Sequence, residues 1–300
     1  MGSSKTTKSY LMFITSMLIF GTIGLFRKYI SLPSGSLACT RGLLGGIFLL
    51  IFVAVKKHKL QRLKTKQILL LAITGGIMGL NWIALFESYN YTAVSTATMC
   101  YYMQPTIVIL VSPIFFRERL TLKNALCALV AIIGMVFISG IADGGAISAE
   151  DTTGILLGLG AAVLYAAVIV LNKKVPVDDA YGKTVIQLFA AGIILLPYVF
   201  LTENPFAVRL DITSAVIVFI VGIFHTCIAY VLYFGSMKDL KSQSIAVLGY
   251  IDPVFALLLS ALALGEKLTL LGVIGSILII GSAVISEINL GSLKNKIAAK

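Results

Sequence analysis

The segment RERLTL, Arg117 to Leu122, recurs as GEKLTL, Gly265 to Leu270, 148 positions later. Each copy lies about a dozen residues beyond a proline, Pro105 or Pro253, and each proline follows a polar residue, Gln104 or Asp252. Carried outward at the same offset, Asn81 to Val136 aligns without a gap on Ala229 to Val284. About a dozen positions coincide, among them Phe86 with Phe234, Ser88 with Ser236 and Tyr102 with Tyr250. A chain that repeats itself in this way is built from two related halves, and the short acidic stretch Gly140 to Asp151 divides them. The expected units are residues 1–142 and 143–300.

Both halves are composed for a bilayer. Of the 300 residues, 58% are hydrophobic and only 12% charged, with a mean hydropathy of +0.99. That excludes an ordinary soluble domain. Ten apolar runs can be cut: Tyr10 to Phe26, Ser36 to Val55, Gln67 to Phe86, Ala93 to Phe116, Leu122 to Ser139, Thr153 to Leu171, Tyr181 to Leu201, Thr213 to Phe234, Gln243 to Leu264 and Leu270 to Ser286. Each is near the roughly 20 residues that a helix needs to cross about 30 Å of hydrocarbon. Runs this continuous do not fit barrel strands, so the expected fold class is all-α integral membrane with ten transmembrane helices. The first run lacks a small-residue cleavage site and reads as a retained span.

The net charge of +11 would suggest a nucleic-acid partner in a soluble protein, but here the basic residues sit between apolar runs. With the N-terminus inside, about 19 of them fall in inner segments, led by Lys56, Lys57, Lys59, Arg62, Lys64 and Lys66. Only Arg27, Lys28, Arg209 and Lys267 fall outside. The charge therefore reads as orientation, with both termini cytoplasmic in the plasma membrane and no nucleic acid as partner. Because each half holds five spans, an odd number, the second half must be inverted relative to the first. Two inverted five-helix repeats supply the pair of half-structures that alternating access requires.

Ten spans in two repeats, with a Glu-x-Leu-Thr type motif before the last helix of each, resemble the EamA-like family of the drug/metabolite transporter superfamily, over nearly the whole chain. The resemblance implies that helices one to four and six to nine surround a central cavity while five and ten lie at the periphery. It also implies a transported metabolite, in a family whose substrates range over amino acids and sugars, and it favours export.

Asp252 lies about 14 Å into its span, near the midplane, where a carboxylate is costly. It reads as a proton carrier or as a partner for a cationic substrate group, against the alternative of a protonated side chain holding a helix kink. Gln104 is its pseudo-symmetric counterpart. Tyr101 and Tyr102 share a helix face with Thr98 and Pro105, and with Tyr250, Tyr165 and Trp82 they either wall a pocket or pack between helices. Arg41 either snorkels to the outer surface or captures a carboxylate, and Gln187 holds the roughly equivalent place in helix seven. His225 and Asn81 are further candidates for facing a cavity, against ordinary packing.

Glu118 and Glu266 fall on opposite sides of the inverted repeat and cannot cooperate in one reaction. Thr121 and Thr269 instead stand where they would cap the following helices. Gly42 with Gly46, Gly75 with Gly79 and Gly154 with Gly158 have the spacing of close helix contacts. Cys39, Cys100, Cys127 and Cys227 read as free buried thiols, with no metal site.

No HExxH, GxSxG, midplane aspartate pair or Walker motif occurs, so the chain is not expected to be an enzyme, to need a cofactor or to be driven by a nucleotide. The reading that remains is a secondary transporter of small metabolites, with amino-acid export leading because Asp252 can meet an amine and Arg41 a carboxylate. The alternatives are import or facilitated passage of a sugar, nucleoside or amine, or a lipid-handling role. The lipid bilayer and a small-molecule substrate are the expected partners, and the glycines of helix ten offer a homodimer contact.

Overall fold

A computed structural model of the chain describes residues 2–116, 120–140, 142, 148–204, 211–237, 239–240 and 242–287. No strand occurs among the described residues. The helices are α1 (Gly2–Gly21), α2 (Ile23–Arg27), α3 (Ser34–Val55), α4 (Thr65–Tyr91), α5 (Val94–Tyr101), α6 (Gln104–Phe116), α7 (Leu122–Ile138), α8 (Ala149–Lys173), α9 (Ala180–Thr202), α10 (Ile212–Ile220), α11 (Ala229–Met237), α12 (Ser242–Leu248), α13 (Ile251–Ala263) and α14 (Leu270–Glu287). A π-helical segment, Val221–Ile228, joins α10 to α11. Among the described residues seven stretches are long and apolar enough to cross a membrane, and Leu122–Ile138, Ile251–Ala263 and Leu270–Ser286 are shorter apolar helices. This is a multi-pass membrane protein.

Four of the runs expected as plain helices are interrupted. The run Tyr10 to Phe26 turns at Thr22, whose hydroxyl donates to the Ile19 carbonyl at 2.7 Å. The run Ala93 to Phe116 breaks at Tyr102 and Met103, and the run Gln243 to Leu264 breaks at Gly249 and Tyr250. The last two breaks are 147 residues apart, within one residue of the repeat offset, and each lies just ahead of its proline, which has no N–H to give the carbonyl four residues back. The fourth is the π-helical segment, which the apolar pattern of Thr213 to Phe234 does not announce.

Helix ends in a bilayer must satisfy their backbone donors from other elements. Glu203, just past α9, accepts from the backbone N–H groups of Gly35 and Ser36 at 2.8 and 2.6 Å and from the Ser36 hydroxyl at 2.8 Å. Glu266, just past α13, does the same for α5, accepting from Val94 N, Ser95 N and the Ser95 hydroxyl at 2.7, 3.0 and 2.8 Å. Asp179 caps α9 through Gly182 N at 3.1 Å and also receives Gln61 N and the His58 ring, both at 3.0 Å. Thr121 and Thr269 cap α7 and α14 as expected, accepting from Asn124 N at 3.2 Å and Gly272 N at 3.0 Å. Arg117, Glu118 and Arg209 lie outside the described residues.

The glycine pairs mark close helix contacts. A side-chain carbon at Gly42 would meet Gly192 N at 2.8 Å, one at Gly158 the Cys100 Cβ at 2.8 Å, and one at Gly75 the Gln187 carbonyl. These put α3 and α4 against α9, and α5 against α8, with the main apolar core of Leu37, Trp82, Phe86, Leu188 and Leu195 between them. Gly134 and Gly275 bring α7 and α14 together. The four cysteines are free and buried.

Glu266→Ala and Glu203→Ala each strip a charged acceptor from two backbone donors, so each is expected to destabilise the protein by about 2 kcal/mol, read as thermal unfolding in detergent. The two losses should add, because the sites are separate. Burial works against the charge of Asp179, but its three donors hold the carboxyl below its ordinary range. Its stabilisation is therefore present above the unfolded value of about 3.9 and is lost as pH falls through the lower folded value. Asp179→Asn should lower the melting temperature at pH 7 by more than it does near pH 3. An equal loss at both would overturn this.

Candidate functional site

The break between α5 and α6 and the break between α12 and α13 come together in the interior. Asp252, in the first turn of α13, has the Tyr102 side chain as its partner across the junction. Both half-helices that begin at the breaks, α6 at Gln104 and α13 at Ile251, direct the positive ends of their dipoles there. Asp252 keeps part of its surface accessible although protein surrounds it, as do Tyr101 and Tyr165. The Tyr101 ring stands edge-on to Tyr102 at 5.5 Å and to Tyr165 at 5.7 Å.

Arg41 forms the second pole. It is 7% exposed, and its guanidinium carbon lies 4.4 Å from the Trp82 ring centre and 5.8 Å from that of Phe86. Its Nε donates to the Thr226 hydroxyl at 3.1 Å. No carboxylate pairs with it among the described residues, where the His58–Asp179 contact is the one ion pair. Arg41 therefore does not snorkel to the surface. Tyr89, Tyr101 and Tyr230 lie within electrostatic range of Arg41, and Tyr89 and Tyr101 within that of Asp252 as well.

Thr226 reaches Arg41 because of the π-helical segment. The extra residue in that turn lets the Thr226 hydroxyl sit over the Val221 carbonyl five residues back, at 3.5 Å. Such turns are often found at functional sites. Gly45 on α3 leaves the room: a Cβ there would collide with the Thr226 side chain. The neighbouring His225, in the same segment, bonds Thr22 at 2.7 Å, at the break between α1 and α2.

The remaining candidates are dispersed. Asn81 donates to the Ala161 carbonyl at 2.6 Å, with its own Oδ1 buried and unpartnered. Gln104 also has a buried, unpartnered Oε1. Gln187 donates to Asn172 at 2.8 Å beneath Gly75, in the α4 and α9 packing seam. Tyr250 lines a lateral cavity with Leu18 and Phe255.

Sequence reasoning missed Tyr89, Thr226, Tyr230 and Phe86 as members of the site. Phe86 stands one turn beyond Trp82, so helical spacing carried a signal for it, whereas Tyr230 stands five residues beyond His225, off that residue's helix face, and spacing from the candidates did not point to it. Thr226 carried none, because its direction depends on the π-helical turn. Among the described residues no three His, Cys, Asp or Glu side chains gather as a metal site would need.

The EamA-like transporter family matches residues 7–140 and 152–287. The chain belongs to that family. It is 28% identical over 280 residues to the uncharacterized transporter YxxF of Bacillus subtilis (strain 168), covering 92% of this chain and 88% of that one. Protein RarD of Salmonella typhimurium is 24% identical over 281 residues, covering 89% and 90%. A crystal structure of a protein 21% identical in sequence superimposes with a TM-score of 0.63 over 93% of this chain and 97% of that one, which supports the fold alone. The family membership makes this chain a membrane transporter of small molecules.

The coupling of Gly45, Thr226 and Arg41 is testable. Gly45→Ala forces an extra carbon into Thr226 and should cost about 1–3 kcal/mol in stability. Adding Thr226→Ser, which removes the opposing methyl and keeps the hydroxyl, should recover a large part of that loss. Additive losses in the double variant would show that the two residues are not in contact.

Proposed function

We propose that the chain is a secondary transporter that moves small metabolites by alternating access, with zwitterionic amino acids as the leading cargo and export as the direction. The observation that carries this reading is the pairing of two broken helices at Tyr102 and Asp252 with an interior guanidinium, Arg41, that has no acidic partner among the described residues. Asp252 and the half-helix ends give a pole for an amine and a coupling proton, and Arg41 a pole for a carboxylate. The rings of Tyr89, Tyr101 and Trp82 offer apolar contact between them.

The transport cycle rests on ten spans arranged as two inverted repeats, residues 1–142 and 143–300. Several contacts support that arrangement. α8 packs on α4 and α6 much as α1 packs on α11 and α13, α3 pairs with α9, and α7 pairs with α14. Exchanging the halves maps each of these pairs onto another pair or onto itself. The family's two matched blocks, 7–140 and 152–287, fall on either side of the proposed divide. We place the protein in the plasma membrane with both termini cytoplasmic, from the asymmetry of basic residues between loops. Gly281 on α14, with open space around it, is available for a homodimer contact. The residues at the site bind and orient charge, and we assign them no covalent chemistry.

The test is ligand-induced stabilisation of the purified protein. A native-state ligand at a hundredfold its Kd stabilises by about 2.7 kcal/mol. L-amino acids should raise the melting temperature, whereas their decarboxylated amines and N-acetylated acids should do so weakly. Asp252→Asn should abolish sensitivity to the amine, and Arg41→Gln sensitivity to the carboxylate. Stabilisation by sugars or nucleosides with no response to amino acids would overturn the cargo. Transport in vesicles that ignores an imposed pH gradient would overturn proton coupling.

A further inference from the structure

Exchange of the two halves at the offset of 148 residues sorts the helix contacts into two kinds. The pair α3–α9 maps onto itself, so a cycle in which the halves swap conformations keeps it in both states. Its seam is held along its whole length. Glu203 bonds the outer end of α3, Gly42 packs against Gly192 midway, and the His58 ring and Gln61 N reach Asp179 at the inner end. The pair α5–α13 maps instead onto α12–α6. Such a pair is made in one state and gives way to its counterpart in the other.

The two counterparts differ. α5 packs on α13 and α2, whereas among the described residues α6 is packed on α7 and α8, and α12 on α1 and α14, with no comparable seam between α6 and α12. Burial follows the same division. α5 is buried from Val94 to Cys100 apart from Thr96, while no described side chain of α12 is buried. Leu85, Phe86 and Tyr89, in the outer part of α4, are buried, and their counterparts in α11, Tyr233, Phe234 and Met237, are partly exposed.

What joins the outer ends is small and polar. Glu266 accepts from Val94 N, Ser95 N and the Ser95 hydroxyl at 2.7, 3.0 and 2.8 Å. Beside these bonds a Cβ at Gly24 of α2 would meet the Val94 side chain at 2.5 Å, and one at Gly21 would meet the Asp252 carbonyl at 2.8 Å. The outer end is therefore shut directly over the central site. Glu266 is itself partly exposed, so water can take over the carboxylate and the freed amides when the ends part. A contact that closes firmly and opens without orphaning its polar groups suits a gate.

We propose that this structure is the state closed at its outer end and that Glu266 is the latch of that end. Its carboxylate holds the first turn of α5 to the end of α13 in this state and releases it when the outer side opens, while the α3–α9 seam stays shut. This rests on the alternating-access reading given above.

The experiment follows thiol reactivity in the full chain in nanodiscs, where a bulky maleimide reaches both faces. Thr98→Cys places a thiol on α5 between the Glu266 bonds and Tyr102. Phe234→Cys places one on α11, a turn inward of Tyr230, on which Phe234 stacks at 5.8 Å. The chain with only its four buried cysteines supplies the background. Glu266→Gln should speed labelling of the Thr98→Cys thiol about tenfold, the change that about 1.4 kcal/mol makes in an equilibrium. Ser95→Ala, a milder loss, should speed it in the same direction. Glu203→Gln weakens the same kind of bonds at the α3–α9 seam and should leave the rate unchanged. No acceleration by Glu266→Gln or Ser95→Ala, or an equal one by Glu203→Gln, would overturn the latch and leave alternating access standing. With both thiols in one chain, intact mass should show that the two adducts exclude one another, an adduct at either position slowing the other about tenfold or more. Independent labelling of the two would overturn alternating access, and the latch with it.

Discussion

The carboxylates of Glu203 and Glu266 and the broken helices they face answer one constraint, that hydrocarbon offers nothing to a backbone N–H or C=O. Each carboxylate reaches from the end of one helix to the first turn of another and accepts two amide protons and a serine hydroxyl. These bonds satisfy the donors that would otherwise be orphaned, and they join elements far apart in sequence. Asp179 does comparable work at the start of α9, where it also receives the loop after α3. The same constraint makes the interruptions at Tyr102 and Gly249 informative. Unpaired backbone at membrane depth persists only where it is enclosed by protein or lines a cavity, and there it is available to a ligand.

With the backbone accounted for, the interior charges remain. Arg41 is held by aromatic faces and one hydroxyl rather than by a counter-ion, an arrangement that keeps a cation inside without neutralising it. Asp252 sits among tyrosines, whose hydroxyls can donate to a carboxylate while their rings exclude water. Asp252 and Arg41 form no ion pair with each other, and Tyr89 and Tyr101 lie within electrostatic range of both. The proposed reading depends on that lack of direct pairing.

Much of this was legible in the sequence, for reasons that differ by residue. Asp252, Tyr102 and Pro253 stood out because charge, hydroxyl and proline are each costly in a long apolar run, and the pseudo-symmetric Gln104 and Pro105 marked the other break. The threonine caps were readable because capping is a matter of a few neighbouring residues. Glu266 was read as structural from its neighbour Thr269, yet its own bonds run to Val94 and Ser95, which no local pattern joins to it. Gln187 held a place roughly equivalent to that of Arg41 and Asn81 was a further candidate for facing a cavity, but the Asn172 side chain and the Ala161 carbonyl opposite them engage them in packing seams.

Hydropathy and the internal repeat are properties of the chain taken in order, and by themselves they determined the helical membrane class and singled out Gln104 and Asp252, beside which the structure places the breaks. They also supplied the list of polar residues forced to lie deep. Which of those residues face one another was decided only by the tertiary structure, because a helix presents each side chain to whatever neighbour packing supplies. The π-helical turn is the clearest case. One shift in backbone register, accommodated by the missing side chain at Gly45, turns Thr226 to Arg41, while His225 beside it bonds the break at Thr22.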